Sequence, residues 1–210
     1  WQQTRLLEYL DTHPICQFMF EDVEADDVIA AITQSKEIED CNKIILSNDK
    51  DFMQLCNENT ILCRPAMKPW QILNTNRIVE EYKIHPYNMA LARALVGDKS
   101  DNLPGVPGIG FGRVVKFFPF LIEDEEYTIT DLIKAAKKLN AEKSNKFITA
   151  IIENEGVIRE NYKIMQLYNP ALSYQRKKII DNCLSEREKH FNLTGYKLML
   201  TEDGFLSLKW

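Results

Sequence analysis

Residues 15–51 read ICQFMFEDVEADDVIAAITQSKEIEDCNKIILSNDKD, and this stretch decides the fold class. The short apolar run at residues 15–20 predicts a strand. Apolar side chains at Val28, Ile29 and Ile32 recur at helical spacing and predict a helix over residues 24–35. Residues 43–47 predict a second, buried strand that ends at turn formers. This alternation indicates an α/β protein with a central, mostly parallel sheet flanked by helices, in which ligands bind beyond the carboxyl ends of the strands.

Helices are predicted on both sides of this stretch. Residues 1–10 have helical spacing, and residues 76–96 are helical again, with an interruption at His85-Pro86. Beyond the glycine- and proline-rich residues 97–112, helices are predicted over residues 114–118, 130–139 and 144–153. The change in composition predicts an α/β core over residues 1–96, a helical nucleic-acid-binding region over 97–170, and a C-terminal segment over 171–210 to which we assign no role.

The composition predicts a folded protein and excludes several classes. With 210 residues and 45% hydrophobic content, the chain can bury a sizeable core, and it has no apolar run long enough for a membrane span. The five cysteines are odd in number and include no Cys-x-x-Cys pair. We therefore expect neither a disulfide framework nor a zinc site, and we expect a reducing cytosol as the location.

Seven acidic residues fall into three short clusters: Glu24, Asp26 and Asp27; Asp49 and Asp51; Asp98 and Asp101. Each cluster alone has an ordinary structural explanation, namely helix capping, turn formation or local backbone hydrogen bonding. All three in one short chain with few histidines predict a site for Mg²⁺ or Mn²⁺, which prefer hard oxygen ligands. Two such ions about 4 Å apart can activate water and stabilise the charge that develops during phosphodiester hydrolysis.

The net charge of −5 opposes nucleic-acid binding unless the negative charge is concentrated in one place. If the seven clustered acids bind metal, the 26 basic residues outnumber the acidic residues that remain. Bound cations add further positive charge. The charge balance is therefore compatible with a DNA-binding protein.

Residues 105–110, GVPGIG, place three glycines around a proline just before an apolar helix. Glycines allow close approach of the backbone to another surface, and the exposed N–H groups of a helix amino terminus bind phosphate. An ordinary flexible loop is the alternative for so short a motif. Contacts to the DNA backbone carry no base information, so we expect recognition of structure rather than sequence. The predicted DNA-contacting residues are Lys99, Gly105, Gly108, Gly110, Arg113 and Lys116.

Three segments, EADDVI at residues 24–29, SNDKDF at 47–52 and GDKSDNLPGVPGIG at 97–110, together resemble the 5′ nuclease domain of bacterial DNA polymerase I and its bacteriophage exonuclease and ribonuclease H relatives. The match is dense over residues 18–118. The resemblance implies a PIN-like 5′ nuclease core and a helix-three-turn-helix DNA-binding module whose turn is the glycine segment. It also implies cleavage of 5′ flaps, 5′ ends or RNA primers in DNA replication and repair. The implied partners are duplex DNA with a 5′ single strand, RNA–DNA hybrids and replication proteins.

The resemblance assigns the acids to two Mg²⁺ or Mn²⁺ ions, the first held by Glu24 and Asp26 and the second by Asp49, Asp51 and Asp98. The two remaining acids of the clusters act directly or through water. The resemblance further implies a potassium ion on backbone carbonyls of the glycine turn, around Val106 and Ile109.

The sequence departs from the family pattern in two places. The family's opening strand with its Asp, a second upstream Asp, and the helical arch with its catalytic Lys and Arg have no counterpart. We therefore expect that the amino-terminal part is absent and that the chain by itself binds metal poorly and cuts nothing. Phe111-Gly112 stands where relatives often carry a charged pair, and Arg113 is expected to take over the phosphate contact.

Two other functions stay open on the sequence alone. A non-catalytic module could bind duplex DNA through the glycine turn and the lysine-rich residues 134–146 without a working metal pair. A Mg²⁺-dependent phosphotransferase acting on small phosphates would share the acidic site but would leave the glycine turn unexplained.

Overall fold

The computed structural model of the protein describes residues 1–66, 68–186 and 190–205. The α-helices in these ranges are α1 (Gln2–Asp11), α2 (Ala25–Thr33), α3 (Thr75–Tyr82), α4 (Met89–Val96), α5 (Phe111–Phe117), α6 (Ile129–Glu142), α7 (Lys146–Glu153), α8 (Glu155–Met165), α9 (Tyr174–Ser185) and α10 (Leu193–Glu202). The strands are β1 (Lys43–Leu46), β2 (Thr60–Arg64), β3 (Gln71–Leu73), β4 (Gly97–Asp98) and β5 (Leu103–Pro104). Short 3-10 turns lie at Lys36–Ile38, Asp51–Leu55, Pro86–Asn88 and Pro119–Ile122.

The α/β class is confirmed, and the main sheet is smaller and more mixed than predicted. Strands β1 and β2 are parallel, with Ile44 opposite Ile61, whereas β2 and β3 are antiparallel. The predicted strand at residues 15–20 is wrong, because this segment pairs with no strand of the described ranges. Its aromatic side chains Phe18 and Phe20 instead pack beside α2 and α9. Apolar character alone cannot specify a strand, which also needs a neighbour for its backbone hydrogen bonds.

The two faces of the three-stranded sheet differ. Ile45 and Leu73 are buried on one face, in the main core. On the other, Leu46 and Ile72 are 62% and 54% exposed, and both lie in register with Cys63 on the central strand. Helices of the described residues therefore cover the face of the sheet that carries Ile45 and Leu73.

Helix α4 forms the centre of the core. Residues 89–95 are all buried, and α4 packs most extensively against α8. The hydrophobic cluster around α4 runs from Ala30 in α2 to Leu167 beyond α8, so the glycine-rich region shares a continuous core with the strands. The predicted domain boundaries at residues 96 and 170 stay a prediction.

The chain termini meet on one side of the molecule. Arg5 of α1 forms an ion pair with Asp203, just beyond α10, and the Tyr9 hydroxyl donates a hydrogen bond to the same carboxylate. The C-terminal segment, to which the sequence assigned no role, thus packs as two helices against the N-terminal helices; its residues 187–189 and 206–210 lie outside the described ranges.

One disulfide links these two parts of the chain. Cys16 and Cys183 are bonded across a sequence separation of 167 residues. The cysteine count argued against a disulfide framework and did not anticipate this single bond. A count of cysteines cannot exclude a single bond between distant residues, because pairing depends on the distance between the two residues in the fold. Cys41, Cys56 and Cys63 remain as thiols.

Candidate metal and nucleic-acid site

The first acidic cluster lies at the start of α2. Glu24 is the N-cap residue with an extended backbone, and Asp26 and Asp27 occupy the first helical turn, where the helix dipole favours negative charge. The Asp27 Oδ1 accepts a hydrogen bond of 2.9 Å from the backbone N–H of Ala171. Asp27 therefore already has a structural partner, whereas Glu24 makes no capping hydrogen bond.

The second cluster follows β1 directly. The backbone N–H of Asp49 donates to the Ser47 hydroxyl, and the Asp49 Oδ1 accepts a hydrogen bond of 2.9 Å from the backbone N–H of Asp51. These bonds form the tight turn that leads from the strand into the 3-10 turn at Asp51–Leu55. As a result, Asp49 stays exposed and the Asp51 side chain is only 13% exposed.

The third cluster follows α4, in the hairpin of β4 and β5. The Asp98 Oδ1 accepts hydrogen bonds from both the backbone N–H and the hydroxyl of Ser100, and its Oδ2 accepts one of 2.5 Å from Arg93. The Ser100 hydrogen bonds, together with the Arg93 charge, hold the pKa of Asp98 below its ordinary value. Asp98 is therefore firmly ionised, while Asp101 is exposed on the same hairpin.

The pKa shifts of two aspartates show that the three clusters lie within electrostatic range of one another. Burial raises the pKa of Asp26, and the negative charges of Asp49, Glu24, Asp27 and Asp101 raise it further. Asp26 and the acids that raise its pKa come from all three clusters. The fold thus brings together, beyond the carboxyl end of β1, the acids that the sequence singled out.

The pKa of Asp51, in the second cluster, is likewise raised by burial and by neighbouring carboxylates. Burial raises its pKa to about 7, with further increases from Asp49, Asp98 and Asp101, although the positive charge of Arg93 opposes the change. Arg93 lies in α4, and its Nη2 is 2.5 Å from the Asp51 Oδ1. The buried Asp51 Oδ1 has no hydrogen-bond partner, so this close contact with Arg93 is an ion pair without a hydrogen bond. The pair is therefore held by charge.

Sequence reasoning missed Arg93 as a site residue. The available signal was a single charged side chain within the apolar run MALARALV of α4. A buried arginine is unusual unless it is paired, so its presence there predicts an acidic partner in the fold. The sequence could not identify that partner.

The acidic site suits a divalent cation by its chemistry. All candidate donors are hard oxygens, the buried Asp51 Oδ1 lacks a hydrogen-bond donor, and the mutual repulsion that raises the pKa values would be relieved by added positive charge. Within the described ranges, however, no group of three or more His, Cys, Asp or Glu side chains is arranged to hold one ion directly. The donor chemistry fits Mg²⁺, whose preferred ligands are hard oxygens.

The glycine turn next to the acidic site is tightly packed against its own chain. A Cβ on Gly105 would lie 1.9 Å from the carbonyl oxygen of Val96, and Gly97 and Gly108 both adopt a φ of +76°. Gly110, the N-cap of α5, faces open space. Gly105 therefore serves close packing inside the hairpin, and the DNA contacts predicted for the turn stay a prediction.

Arg113 is held against the turn. Its Nη1 donates to the Gly108 carbonyl, and its guanidinium lies 3.8 Å from the centre of the Phe147 ring. Lys99 and Lys116 are both exposed. The Val106 carbonyl accepts a hydrogen bond from the Ile109 N–H, and both side chains are buried. A potassium ion at these carbonyls stays a prediction.

The buried Asn161 of α8 joins the two regions. Its side-chain amide donates hydrogen bonds to the carbonyls of Ala94 at 3.1 Å and Pro104 at 2.9 Å. It therefore ties the end of α4, which carries Arg93, to the hairpin that leads into the glycine turn. No local pattern indicates this role, because Asn161 lies in an ordinary amphipathic helix.

The arrangement defines a class of protein: an α/β fold with a carboxylate-lined site next to a glycine turn that precedes a helix. None of the helices in the described ranges is long and apolar enough to cross a membrane. Comparison with known proteins agrees with this class. Residues 2–83 match the family described as "5′-3′ exonuclease, N-terminal resolvase-like domain".

Relatives and solved structures point to the same family. The chain is 31% identical over 186 residues to the 5′-3′ exonuclease of Buchnera aphidicola subsp. Schizaphis graminum, covering 89% of the chain and 57% of the relative. It is 32% identical over 117 residues to the DNA polymerase I of Bacillus subtilis, covering 55% of the chain and 13% of the relative. The fold is similar to that of bacteriophage T5 5′-exonuclease with bound zinc, with a TM-score of 0.66, 20% identity, and coverage of 82% of this chain and 62% of that one.

The family model and these relatives support the 5′-3′ exonuclease family that the three sequence motifs predicted. It spans less than two thirds of the relatives named above. A second solved structure of similar fold, at a TM-score of 0.65 and 20% identity over 81% of this chain and 61% of that one, is the bacteriophage T5 flap endonuclease in a complex with DNA and metal ions.

Proposed function

We propose that this chain functions as a structure-specific, metal-dependent 5′ nuclease that hydrolyses phosphodiester bonds at 5′ flaps, 5′ ends or RNA primers. The observation that carries the proposal is the convergence of three carboxylate clusters beyond β1, where charges of the second and third clusters act on Asp26 and charges of the third cluster act on Asp51. The names of the relatives, which include 5′-3′ exonucleases and a flap endonuclease bound to DNA and metal ions, support it.

The acids proposed to hold two Mg²⁺ or Mn²⁺ ions are Glu24, Asp26, Asp49, Asp51 and Asp98, with Asp27 and Asp101 acting directly or through water. When bound, such ions supply an activated water and stabilise negative charge on the phosphate and the leaving oxygen. The chain's own groups prepare the acids for this task. The Asp49 carboxylate orders the turn ahead of Asp51, and Ser100 fixes and ionises Asp98.

The DNA is proposed to bind across the glycine turn, with the segment from α4 to α5 acting as a helix-three-turn-helix module. Lys99, Arg113 and Lys116 contribute positive charge near phosphates. The finer parts of the proposal are a potassium ion at the Val106 and Ile109 carbonyls, RNA–DNA hybrids as further substrates, replication proteins as partners, and the cytosol as the location.

The test measures Mn²⁺ binding by the chain, and cleavage of duplex DNA with a 5′-labelled single-stranded flap by the chain joined to the opening strand and arch of a family member. Asp49→Asn removes an exposed candidate ligand with little effect on packing, and Glu142→Gln removes an exposed carboxylate at the end of α6 as a matched control. We expect Asp49→Asn to weaken Mn²⁺ binding roughly tenfold or more and to reduce flap cleavage. The control should match the unaltered chain. Cleavage that survives Asp49→Asn and Asp98→Asn together would refute the proposed site.

One observation favours a second candidate function, a non-catalytic duplex-DNA-binding module of the same fold. In the ranges described, no three potential ligands are arranged around one point, and Arg93 lies between two of the candidate metal-binding aspartates. Gel-shift titrations of duplex DNA, with and without EDTA, distinguish the two functions. Metal-independent affinity together with no Mn²⁺ binding and no cleavage would favour the module.

A further inference from the structure

Arg93 is a permanently charged side chain buried in the centre of the fold. It is 8% exposed, in a helix whose neighbouring residues are all apolar and buried. Removing a guanidinium from water is costly, and the cost is offset only by close contact with anions or acceptors. Arg93 is only partly compensated, because its Nε has no hydrogen-bond partner. The interactions that offset the cost of burying Arg93 are therefore made by the terminal nitrogens of its guanidinium.

One nitrogen of Arg93 carries this interaction. Nη2 lies 2.5 Å from the Asp51 Oδ1 and 2.5 Å from the Asp98 Oδ2, so a single positive centre bridges carboxylates from two different clusters. Bridging two carboxylates through one point of positive charge is also what a divalent ion does. The guanidinium nitrogen thus occupies the space between two proposed metal ligands.

The charges around Asp51 strengthen the likeness between Arg93 and a bound divalent ion. The other charged groups that act on Asp51 are the carboxylates of Asp49 and Asp101, which are both negative. Arg93 is the basic side chain that the described ion pairs place against these clusters. Without its charge, the repulsion among the acids would be relieved by protonation, by separation of the clusters or by a bound cation.

We propose that Arg93 is the resident cation of the acidic site: it holds Asp51 and Asp98 together in the metal-free protein, and a divalent ion that bridges them displaces its guanidinium. The inference rests on the proposed function, because it takes these aspartates to be metal ligands. Arginine stays protonated at any ordinary pH, so it makes room for a second cation by moving and not by losing its proton. Metal binding and the Arg93 contacts are therefore mutually exclusive.

A measurement on the unaltered chain tests the displacement directly. The ¹⁵N-labelled Nε–H signals of arginine are followed by NMR during a Mg²⁺ titration, with the Arg93 signal assigned by its loss in Arg93→Lys. We expect the Arg93 signal to shift or broaden in parallel with Mg²⁺ binding, while the signal of Arg159, on the surface of α8, stays in place. Saturation with Mg²⁺ that leaves the Arg93 signal unchanged overturns the proposal.

Variants test the competition. Arg93→Met keeps much of the side-chain length and removes the charge, Arg93→Lys keeps the charge, and Arg159→Met removes an arginine that pairs with Glu155 on the surface. We expect Arg93→Met to lower the melting temperature in EDTA, to bind Mn²⁺ roughly tenfold more tightly, and to gain more stability from Mn²⁺ than the unaltered chain. Arg93→Lys should retain most of the competition, and Arg159→Met should bind Mn²⁺ as the unaltered chain does.

The outcomes separate this inference from the proposed function. Mn²⁺ binding by the unaltered chain with equal or weaker binding by Arg93→Met overturns the resident-cation role and leaves the metal site intact. A failure of every form to bind Mn²⁺ overturns both. Binding by Arg93→Met alone would show that Arg93 blocks the site and that Mn²⁺ does not displace it, which overturns the displacement.

Discussion

The acidic site and the glycine turn lie next to each other, yet charge dominates the first and close backbone packing dominates the second. In the acidic site, charge is unbalanced: repulsion and burial raise the pKa of Asp51 to about 7, and its Oδ1 lacks a hydrogen-bond donor. In the glycine turn, the backbone packs closely, with Gly105 against the carbonyl of Val96 and Arg113 against that of Gly108. The acidic site contains polar atoms without a partner that a ligand can satisfy, whereas the glycine turn is held in one backbone conformation by close packing.

This difference explains how the two regions can coexist in one small fold. A site with surplus like charge is costly, and the cost has to be offset by well-packed structure nearby. Asn161 links the two, since it bonds both the end of α4 and the hairpin before the turn. Substitutions in the turn should therefore reduce stability, whereas substitutions in the acidic site should mainly change ligand binding.

The largest expected effect comes from filling the space beside Gly105. In Gly105→Ala, the new methyl group would lie 1.9 Å from the Val96 carbonyl oxygen, so the hairpin and α4 must separate. We expect a loss of about 3 kcal/mol in the free energy of unfolding, measured by urea denaturation. Gly110→Ala, where no atom lies within 4 Å, is the matched control and should change stability by about 1 kcal/mol or less, the loss expected at an N-cap. Similar losses in both variants would show that the turn is not closely packed.

The second effect tests the link between the two regions. Asn161→Ala removes two hydrogen bonds and leaves the carbonyls of Ala94 and Pro104 without this donor. We expect a loss of about 2 kcal/mol in the free energy of unfolding. Asn76→Ala, an exposed position on α3, is the control and should have little effect. Equal stability of the two variants would mean that the acidic site and the turn are held together by other contacts.

The third effect concerns DNA affinity and leaves stability unchanged. Lys116→Gln removes an exposed charge on α5, close to the glycine turn, and Lys178→Gln removes one on the distant α9. If Lys116 contacts a phosphate, its loss makes the negative slope of log affinity against log salt shallower by about 0.9. Gel-shift titrations with duplex DNA at several salt concentrations measure this slope. The same slope for the two variants would argue against DNA binding at the turn.

The smallest effect is a pH dependence that belongs to neither region. Burial lowers the pKa of His85, although Asp124 at 3.4 Å opposes the change. Below its ordinary pKa of 6.5, the unfolded chain takes up this proton more readily than the folded protein does, so stability should fall as the pH drops from about 7.5 to about 5.5.

The control for this pH dependence keeps the cap and removes the titration. The His85 Nδ1 accepts the N–H of Tyr87, and Asn is a good N-cap residue, so His85→Asn retains an acceptor there. Urea midpoints across the same pH range should be flatter in His85→Asn than in the unaltered chain. An identical pH profile would show that His85 does not cause the pH dependence.

Much of the local structure could be predicted from the sequence. The helix around Val28, the strand around Ile45 and the break at His85-Pro86 all appear in the fold, because spacing, β-branching and proline act within a few residues. The predicted strand at residues 15–20 failed for the complementary reason. A strand depends on a neighbour, and the apolar side chains of this segment pack beside helices instead.

The sequence by itself determined the family, the three acidic clusters and the place of the glycine turn, since each is a short run of residues whose chemistry can be read locally. Only the tertiary structure decided which groups meet: Arg93 with Asp51 and Asp98, Gly105 with Val96, and Cys16 with Cys183. These contacts depend on distances set by the packing of α4 and α8 and by the meeting of the chain termini. Electrostatic and steric energies change steeply with such distances, and no local pattern in the sequence encodes them.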